Sequence, residues 1–371
     1  MKAIILAGGQ GTRLRPLTCK APKPMLPLVN APFLEYIFKL LKNYDVEEVI
    51  LSTSYLPGLF ERRFGDGEKY GLKLVYVEEK EPLGTAGAIK NVEEYLDDDP
   101  FVVFNGDILT NLNISQLFEY HRSKGALATL TLTSVEDPTS YGLVPINSTG
   151  EVAGFLEKPS WDEVTTDLVN AGTYILEPDV LNLIPMGENY SFERGVFPEM
   201  VEKKEKIFGF PSNAYWLDIG TPQKYLKAHR DILGGRIEFD FKGTQLKFGV
   251  WVGKNCAISS EANIFGPAVL GDNCQIEANA TIFGYTTIGN NCMIGSGVTI
   301  GESVIFDDCR INRSSVIKNS ILGKGVKLGA KVHVEDVAVL GEDIKIGDEN
   351  SLKRGIRIWP ETEIGKNIIK F

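Results

Sequence analysis

From Val252 onward, apolar residues fall on every sixth position: Val252, Ile258, Ile264, Leu270, Ile276, Ile282, Ile288, Ile294 and Ile300. The series slips at Ile305, Ile311 and Ile317, then resumes from Leu322 through Leu328, Val334, Leu340, Ile346, Leu352, Ile358 and Ile364. A small or β-branched residue stands two positions before most of them, as at Cys256, Ala262, Ala268, Cys274, Ala280 and Cys292. This period predicts a hexapeptide β-helix, in which each unit forms one short face and three units form a coil. Only stacking of coils buries the aliphatics. About 115 residues give six to seven coils and a rod roughly 30 Å long. Cys256, Cys274 and Cys292 lie eighteen apart, so they stack as small apolar slots rather than as a metal ladder or disulfides.

The first 233 residues read differently. Short apolar runs at residues 3–7, 46–51, 72–77, 100–104, 126–135 and 170–176 have the length of buried or half-buried strands. Helical spacing appears at 32–41, 58–64, after Gly84, and from Pro222 to Leu233, and 141–144 with 152–159 suggests a hairpin. Alternating strands and helices predict a mostly parallel α/β sheet. Ligands on such sheets sit beyond the carboxyl ends of the strands, where Gly8–Arg13, Glu79–Gly87 and Asp107 all fall. The chain therefore reads as a domain over 1–233, a connector over 234–250 and a β-helix over 251–371.

Composition narrows the possibilities. A chain of 371 residues suits two cores better than one. Its net charge of −10 argues against nucleic acid and anionic membrane surfaces as partners. No run approaches the ~20 apolar residues of a membrane span, and MKAIILAGG reads as a strand rather than a secretory signal. Five cysteines without a C-x-x-C suggest a reduced, cytoplasmic protein.

Against that acidic background, residues 3–27 (AIILAGGQGTRLRPLTCKAPKPMLP) form a basic island with no acidic residue before Glu35. Glycines let backbone amides approach a polyanion, and the cations neutralise it. Two common phosphate motifs are excluded. Leu14 occupies the third small position of a dinucleotide fingerprint, and no Gly-Lys-Ser/Thr follows for a P-loop.

The full run GGQGTRLRPLT…PKP resembles the signature of the sugar-nucleotide pyrophosphorylases, and the resemblance extends through NGD, EKP, NAG and WLDIG to the repeats. It implies a Rossmann-like nucleotidyltransferase domain followed by a left-handed parallel β-helix. It also implies transfer of a nucleoside monophosphate from an NTP to a sugar 1-phosphate, with pyrophosphate released. By the same resemblance, Leu6, Ala7, Gly8, Gly9, Gly11 and Thr12 supply a backbone cradle. Arg13 serves the triphosphate and departing pyrophosphate, and Lys23 the α-phosphate. Asp107 and Asp218 would share Mg²⁺. Lys158 would hold the sugar phosphate, with Gly142, Glu157, Asn170 and Gly172 at the sugar hydroxyls.

The stretch Glu78–Gly87, with Glu79, Pro82, Gly84 and Thr85, aligns with the base-recognition loop. Pyrimidine-using relatives commonly carry Gln where Glu79 stands. A carboxylate only accepts hydrogen bonds and suits the adjacent N1–H and N2–H₂ donors of guanine. The runs EEKEPLGTAGAI, NAGTYIL and FERGVFPEM look most like guanylyltransferases acting on mannose 1-phosphate. Two alternatives stay open: UTP or dTTP with glucose 1-phosphate or N-acetylglucosamine 1-phosphate, including acetyl transfer by a base such as His333, or a non-catalytic regulatory homologue. The β-helix is expected to contribute to a homo-oligomer, because its long faces need cover.

Overall fold

The computed structural model describes residues 1–370. The chain forms two compact units that do not follow a simple split at residue 233. One comprises 1–10 and 34–216, the other 11–33 and 217 onward.

The first unit is built on a nine-stranded sheet. Its strands are β1 (Lys2–Leu6), β2 (Glu48–Thr53), β3 (Lys73–Glu78), β4 (Phe101–Asn105), β5 (Ala128–Ser134), β6 (Gly142–Leu143), β7 (Leu156–Glu157), β8 (Leu168–Leu176) and β9 (Ile207–Pro211). The order is β7-β6-β8-β4-β1-β2-β3, with β5 beside β8 and β9 beside β5. Strands β4, β1, β2 and β3 are parallel, as their unbroken apolar runs predict. The other half is mixed: β8 runs antiparallel to both β4 and β5. The sheet is therefore less uniformly parallel than the alternation of elements suggests.

Helices α1 (Phe33–Lys42), α2 (Gly58–Phe64), α3 (Gly84–Lys90), α4 (Ile114–Lys124) and α5 (Phe197–Glu202) belong to this unit. Helix α1 buries Leu34, Ile37, Phe38 and Leu41, the stripe its 3.6-residue spacing dictates. Helix α4 has clear ends: the Asn113 side chain accepts from the Gln116 amide, and Gly125 closes it in the left-handed conformation.

The second unit holds the repeats, three parallel sheets whose strands pair one coil to the next from Val250–Val252 to Glu363–Ile364. Ile258, Ile276, Ile294, Ile311, Leu328, Ile346 and Ile364 stack in one column. The slip in the repeat has a local cause. The step from Ile300 to Ile305, and from Ile317 to Leu322, is five positions in place of six. The shortened corners lie over each other and carry buried Ser303 and Ser320. The Ser320 amide donates to Ser303 Oγ at 3.2 Å, and each hydroxyl donates to a carbonyl two residues back. Serine thus satisfies backbone groups that the missing residue would have paired.

Cys274, Cys292 and Cys309 are buried and all five cysteines are free. Hydrogen bonding with the Cys292 thiol and then burial push Cys274 well above the usual thiol range; in Cys292 the lowering by Cys274 is outweighed by the Cys309 thiol and burial, so both act as inert fillers. The expected connector holds a strand, Thr244–Lys247, that pairs antiparallel with Val250–Val252 and extends one of the three β-helix sheets.

Helix α6 (Pro222–Leu233) and the 11–33 loop pack on these coils. The α6 ring of Tyr225 lies 4.8 Å from that of His229 and 6.3 Å from that of Phe306. The Tyr225 hydroxyl donates to the Pro27 carbonyl, and Asn30 Nδ2 donates to the Ile288 carbonyl at 2.8 Å. His229 Nε2 lies 3.2 Å from the same Pro27 oxygen, which only accepts, so the proton sits on Nε2 and Nδ1 accepts from Thr287.

Burial depresses His229 to about 3 from an ordinary 6.5. The unfolded chain therefore takes up this proton first as pH falls. The stability tied to the neutral ring is complete above pH 6.5 and drains away toward pH 3. Thermal unfolding followed across that window is expected to show a shallower acid loss in His229→Gln than in the parent chain.

Candidate active site

Strand β1 delivers the glycine turn. The Ala7 amide donates to the Ser52 carbonyl at 2.8 Å, so it belongs to the sheet and is not available to a phosphate cradle. Leu6 likewise pairs within the sheet, between Ser52 and Asn105. Among the described residues, the amides of Gly8 and Gly9 have no acceptor. A Cβ on Gly8 would stand 2.7 Å from Ser54 Oγ and 2.9 Å from Glu79 Oε1, so only glycine lets these groups close on the turn. Gly9 differs: nothing lies within 4 Å of its missing Cβ.

Behind the turn, Glu79 is buried with both oxygens engaged. Oε1 accepts from Ser52 Oγ at 2.9 Å and Oε2 from the Leu83 amide at 3.1 Å. The carboxylate thereby shapes the Pro82–Thr85 loop from inside. Asn189 Nδ2 caps the Pro82 carbonyl, and Tyr190 O receives the amides of Ala86 and Gly87 just past Gly84 and Thr85. Thr85 Oγ1 donates to Glu193 Oε2 at 2.7 Å.

The residues expected at the sugar fall on β6, β7 and β8 of this unit. Gly142 faces Glu157 across the β6–β7 pair, and Lys158 Nζ lies 4.0 Å from the Glu157 carboxylate. Glu157 is half-buried, and desolvation, helped by the negative charge of Glu193, raises its carboxyl above the usual range. Asn170 and Gly172 sit where the β8–β5 register shifts. Asn170 Oδ1 accepts from the Gly172 amide at 3.0 Å, and its Nδ2 lies 2.7 Å from the buried Tyr174 hydroxyl. That hydroxyl reaches Glu193 at 3.3 Å, so Glu193 ties the NAG bulge to Thr85. Glu193 lies in FERG and was not expected to organise the site. Asn105 also emerges here: its Oδ1 is buried without a hydrogen-bond partner. Asp107 occupies the turn that follows β4 and is half-buried.

Arg13, Lys23 and Asp218 lie together in the second unit. Gly11 enters with φ +60, a conformation that suits glycine, and its carbonyl accepts from Thr18 Oγ1 at 2.8 Å. The Gly11 amide has no acceptor among the described residues, and Thr12 opens a 3-10 turn that ends at Leu14. Asp218 Oδ2 lies 3.9 Å from Arg13 Nη2 and 3.2 Å from Lys224 Nζ, and Oδ1 lies 3.6 Å from Lys23 Nζ. A Cβ on Gly220 would crowd Arg13 Nη2 at 2.7 Å, so this glycine makes room for the guanidinium. Lys224 was missed in the sequence. It follows WLDIGTP in the first turn of α6, where the Thr221 side chain accepts from its amide.

Three cations around one carboxylate leave a local surplus of about two positive charges, which suits a polyphosphate. Asp218 Oδ1 is buried and lacks a hydrogen-bond donor, which suits the hard-oxygen preference of a divalent cation.

The cation cluster has the charge that phosphorylated small molecules call for. Comparison with known proteins makes this specific. Residues 2–235 match the nucleotidyl transferase family and residues 264–370 a GMPPB C-terminal domain. A mannose-1-phosphate guanylyltransferase of Mycobacterium tuberculosis is 45% identical over 63% of this chain, an alignment that covers 65% of that protein, short of two thirds. A mannose-1-phosphate guanyltransferase of Yarrowia lipolytica is 37% identical over 100% of this chain and 99% of its own length. A Synechocystis UTP–glucose-1-phosphate uridylyltransferase is 33% identical over 92% of this chain and 87% of its own. The crystal structure of HddC from Yersinia pseudotuberculosis, which has also been solved complexed with GMP-PN, superposes with TM-score 0.54 at 32% identity, covering 61% of this chain and 97% of that one. The chain belongs to the nucleotidyl transferase family, among the sugar-nucleotide pyrophosphorylases. Enzymes of this family typically use a divalent metal. No helix among the described residues is long and apolar enough to cross a membrane.

Glu79→Leu removes the acceptors for Ser52 and Leu83 and is expected to destabilise by about 1–3 kcal/mol. Faster hydrogen exchange over 80–87 than in the parent chain is the accompanying sign, and unchanged exchange there would count against this anchoring role.

Proposed function

We propose that the protein joins GTP to mannose 1-phosphate, forming GDP-mannose and pyrophosphate. The observation that carries the chemistry is the cluster of Arg13, Lys23 and Lys224 held by Asp218. The Yarrowia relative, matched over the whole chain, supports the choice of substrates. In-line attack of the sugar-phosphate oxygen on the α-phosphorus leaves the protein little covalent work. Its task is alignment and neutralisation of charge.

Arg13 takes the β- and γ-phosphates and the departing pyrophosphate. Lys23, whose side chain is only 9% exposed, stays close to the α-phosphate as negative charge grows there. The free amides of Gly8 and Gly9 are donors proposed for phosphate oxygens, and the empty space over Gly9 serves no packing need of the chain itself. Asp107 and Asp218 are the proposed ligands of Mg²⁺, which when bound would screen phosphate oxygens and polarise the α-phosphorus. Glu79, Pro82, Gly84 and Thr85 form the base loop. Lys158 holds the sugar phosphate, with Gly142, Glu157, Asn170 and Gly172 at the hydroxyls.

The Synechocystis relative favours one second reading, uridylyl transfer to glucose 1-phosphate. Retention of Arg13, Lys23, Asp107 and Asp218 speaks for catalysis over a regulatory role. His333 lies 3.3 Å from Glu335, which Lys353 also contacts, and we assign it no acetyl transfer. Five free thiols suit the reducing cytoplasm. Exposed Phe265 and Phe283, stacked 5.6 Å apart on neighbouring coils, support self-association through the β-helix.

The deciding experiment is a panel of triphosphates against sugar 1-phosphates, read by pyrophosphate release with Mg²⁺ present. GTP with mannose 1-phosphate is expected to give the highest kcat/KM, and UTP with glucose 1-phosphate in first place would replace this reading by the second. Chelation of the metal is expected to stop turnover. Lys23→Ala should lower kcat by about 10²–10³, as loss of a preorganised charge does. Gly9→Ala is expected to keep the parent melting temperature while weakening GTP binding, because its Cβ meets only space that phosphate would use.

A further inference from the structure

Arg13 projects from a short 3-10 turn, Thr12–Leu14, held by two backbone bonds: Leu14 N to Gly11 O at 2.9 Å and Arg15 N to Thr12 O at 3.2 Å. Its side chain is 65% exposed. So short a turn does not by itself fix where a long guanidinium points.

A second cation grips the turn from behind. Arg357 lies on the outward face of Arg357–Ile358, a strand near the end of the β-helix, while Ile358 points into the core. One guanidinium nitrogen, Nη1, donates to the carbonyls of both Arg13 and Arg15, at 3.0 Å each. Further along the loop, Lys20 pairs with Glu361 and lies 3.9 Å from Asp343, both on the same terminal coils. The segment from Arg13 to Lys20 is thus tied at both ends to residues more than 300 positions away.

We propose that Arg357 is a positioning residue for the nucleotidyl-transfer reaction, fixing the backbone of Arg13 so that its guanidinium meets the triphosphate. The inference rests on the phosphate role given to Arg13 above. Two bonds from one nitrogen to carbonyls flanking residue 14 set the peptide planes on both sides of the turn. They therefore set the direction in which the Arg13 side chain leaves the backbone. Stability alone is a poor explanation, because Arg357 brings a positive charge up to two other arginines at Arg13 and Arg15. The turn carbonyls offset that repulsion, and the outcome is a fixed loop with a higher positive potential. The terminal coils are consequently part of the catalytic apparatus, although Arg357 itself touches no substrate.

The test compares kcat, KM for GTP and melting temperature in the full-length chain, Arg357→Ala, Arg357→Lys, Arg13→Ala and the Arg13→Ala/Arg357→Ala double variant. Arg357→Ala is expected to lower kcat at least tenfold and up to about 100-fold, as an ångström of misplacement does. Its melting temperature should stay within about 2 °C. Arg357→Lys should regain most of the rate, since a single nitrogen with several hydrogens makes both bonds. On the Arg13→Ala background, removing Arg357 should change kcat/KM less than about twofold, because the group it positions is gone. Parent kinetics in Arg357→Ala, or the same fold-loss on both backgrounds, overturns the inference while leaving the proposed function intact. If Arg357→Ala does not fold, Arg357→Leu, which keeps much of the aliphatic stem but has no donor, replaces it in the same cycle and is judged by the same two outcomes. If the parent chain turns over no nucleotide and sugar phosphate, the proposed function and this inference fall together.

Discussion

Three like charges are held close together at the proposed phosphate site, and Asp218 makes that possible. Three cations lie within 4 Å of its carboxylate. At an effective dielectric near 20, each such contact is worth about 4 kcal/mol of Coulomb attraction before desolvation is subtracted. Lys23 needs the partner most. Its side chain is 9% exposed, and leaving it unpaired there would cost about 3–5 kcal/mol. The carboxylate is therefore a structural counter-ion for the whole 11–33 loop as well as a proposed metal ligand. An incoming polyphosphate does not have to gather these charges. It meets cations already held in place, which is what preorganisation means in energetic terms.

The loop that carries two of these cations is anchored on a rod. Tyr225, His229 and Asn30 hold its later part to α6 and the middle coils, while Arg357 and the acids at 343 and 361 hold its earlier part to the last coils. A stack of coils makes a suitable anchor because each strand is hydrogen-bonded to neighbours on both sides and its interior is filled by one repeating aliphatic column. Small errors in a flexible arm would move Arg13 by ångströms. A loop fastened at several points along a stiff stack moves far less. This accounts for a basic signature that follows strand β1 in sequence and yet packs with the repeats.

What the sequence revealed follows from periodicity and local chemistry. The six-residue period made the β-helix plain, and even its slip mapped to two shortened corners. Buried parallel strands were legible because burial on both faces leaves continuous apolar runs. Helix α4 was not, since its inner face combines Ile114 and Leu117 with His121, and the aliphatic stripe is broken. Strand β9 escaped because IFGFP carries a glycine and a proline. Arg13, Lys23 and Asp218 stood out as motif positions. Lys224, Glu193 and Arg357 did not, because nothing in their immediate neighbours distinguishes them from solvated surface charges. Their roles come from tertiary proximity, which no local pattern encodes.

Glu79 shows how such proximity revises a motif. Read from sequence, its carboxylate is an acceptor for the base. In the fold, one lone pair of each oxygen is already committed, to Ser52 and to Leu83. A carboxylate has about four acceptor positions, so two remain for a purine edge, and the inward pair holds the rest of the group in place. Glutamine would fit this pocket in a single orientation. Its oxygen must face the Leu83 amide and its NH₂ the Ser52 hydroxyl, because the reverse sets two donors against each other. Ser52 and Leu83 therefore fix which donors and acceptors residue 79 can offer outward. The proposed base preference would then be a property of the β2 strand end and the 79–85 loop acting together.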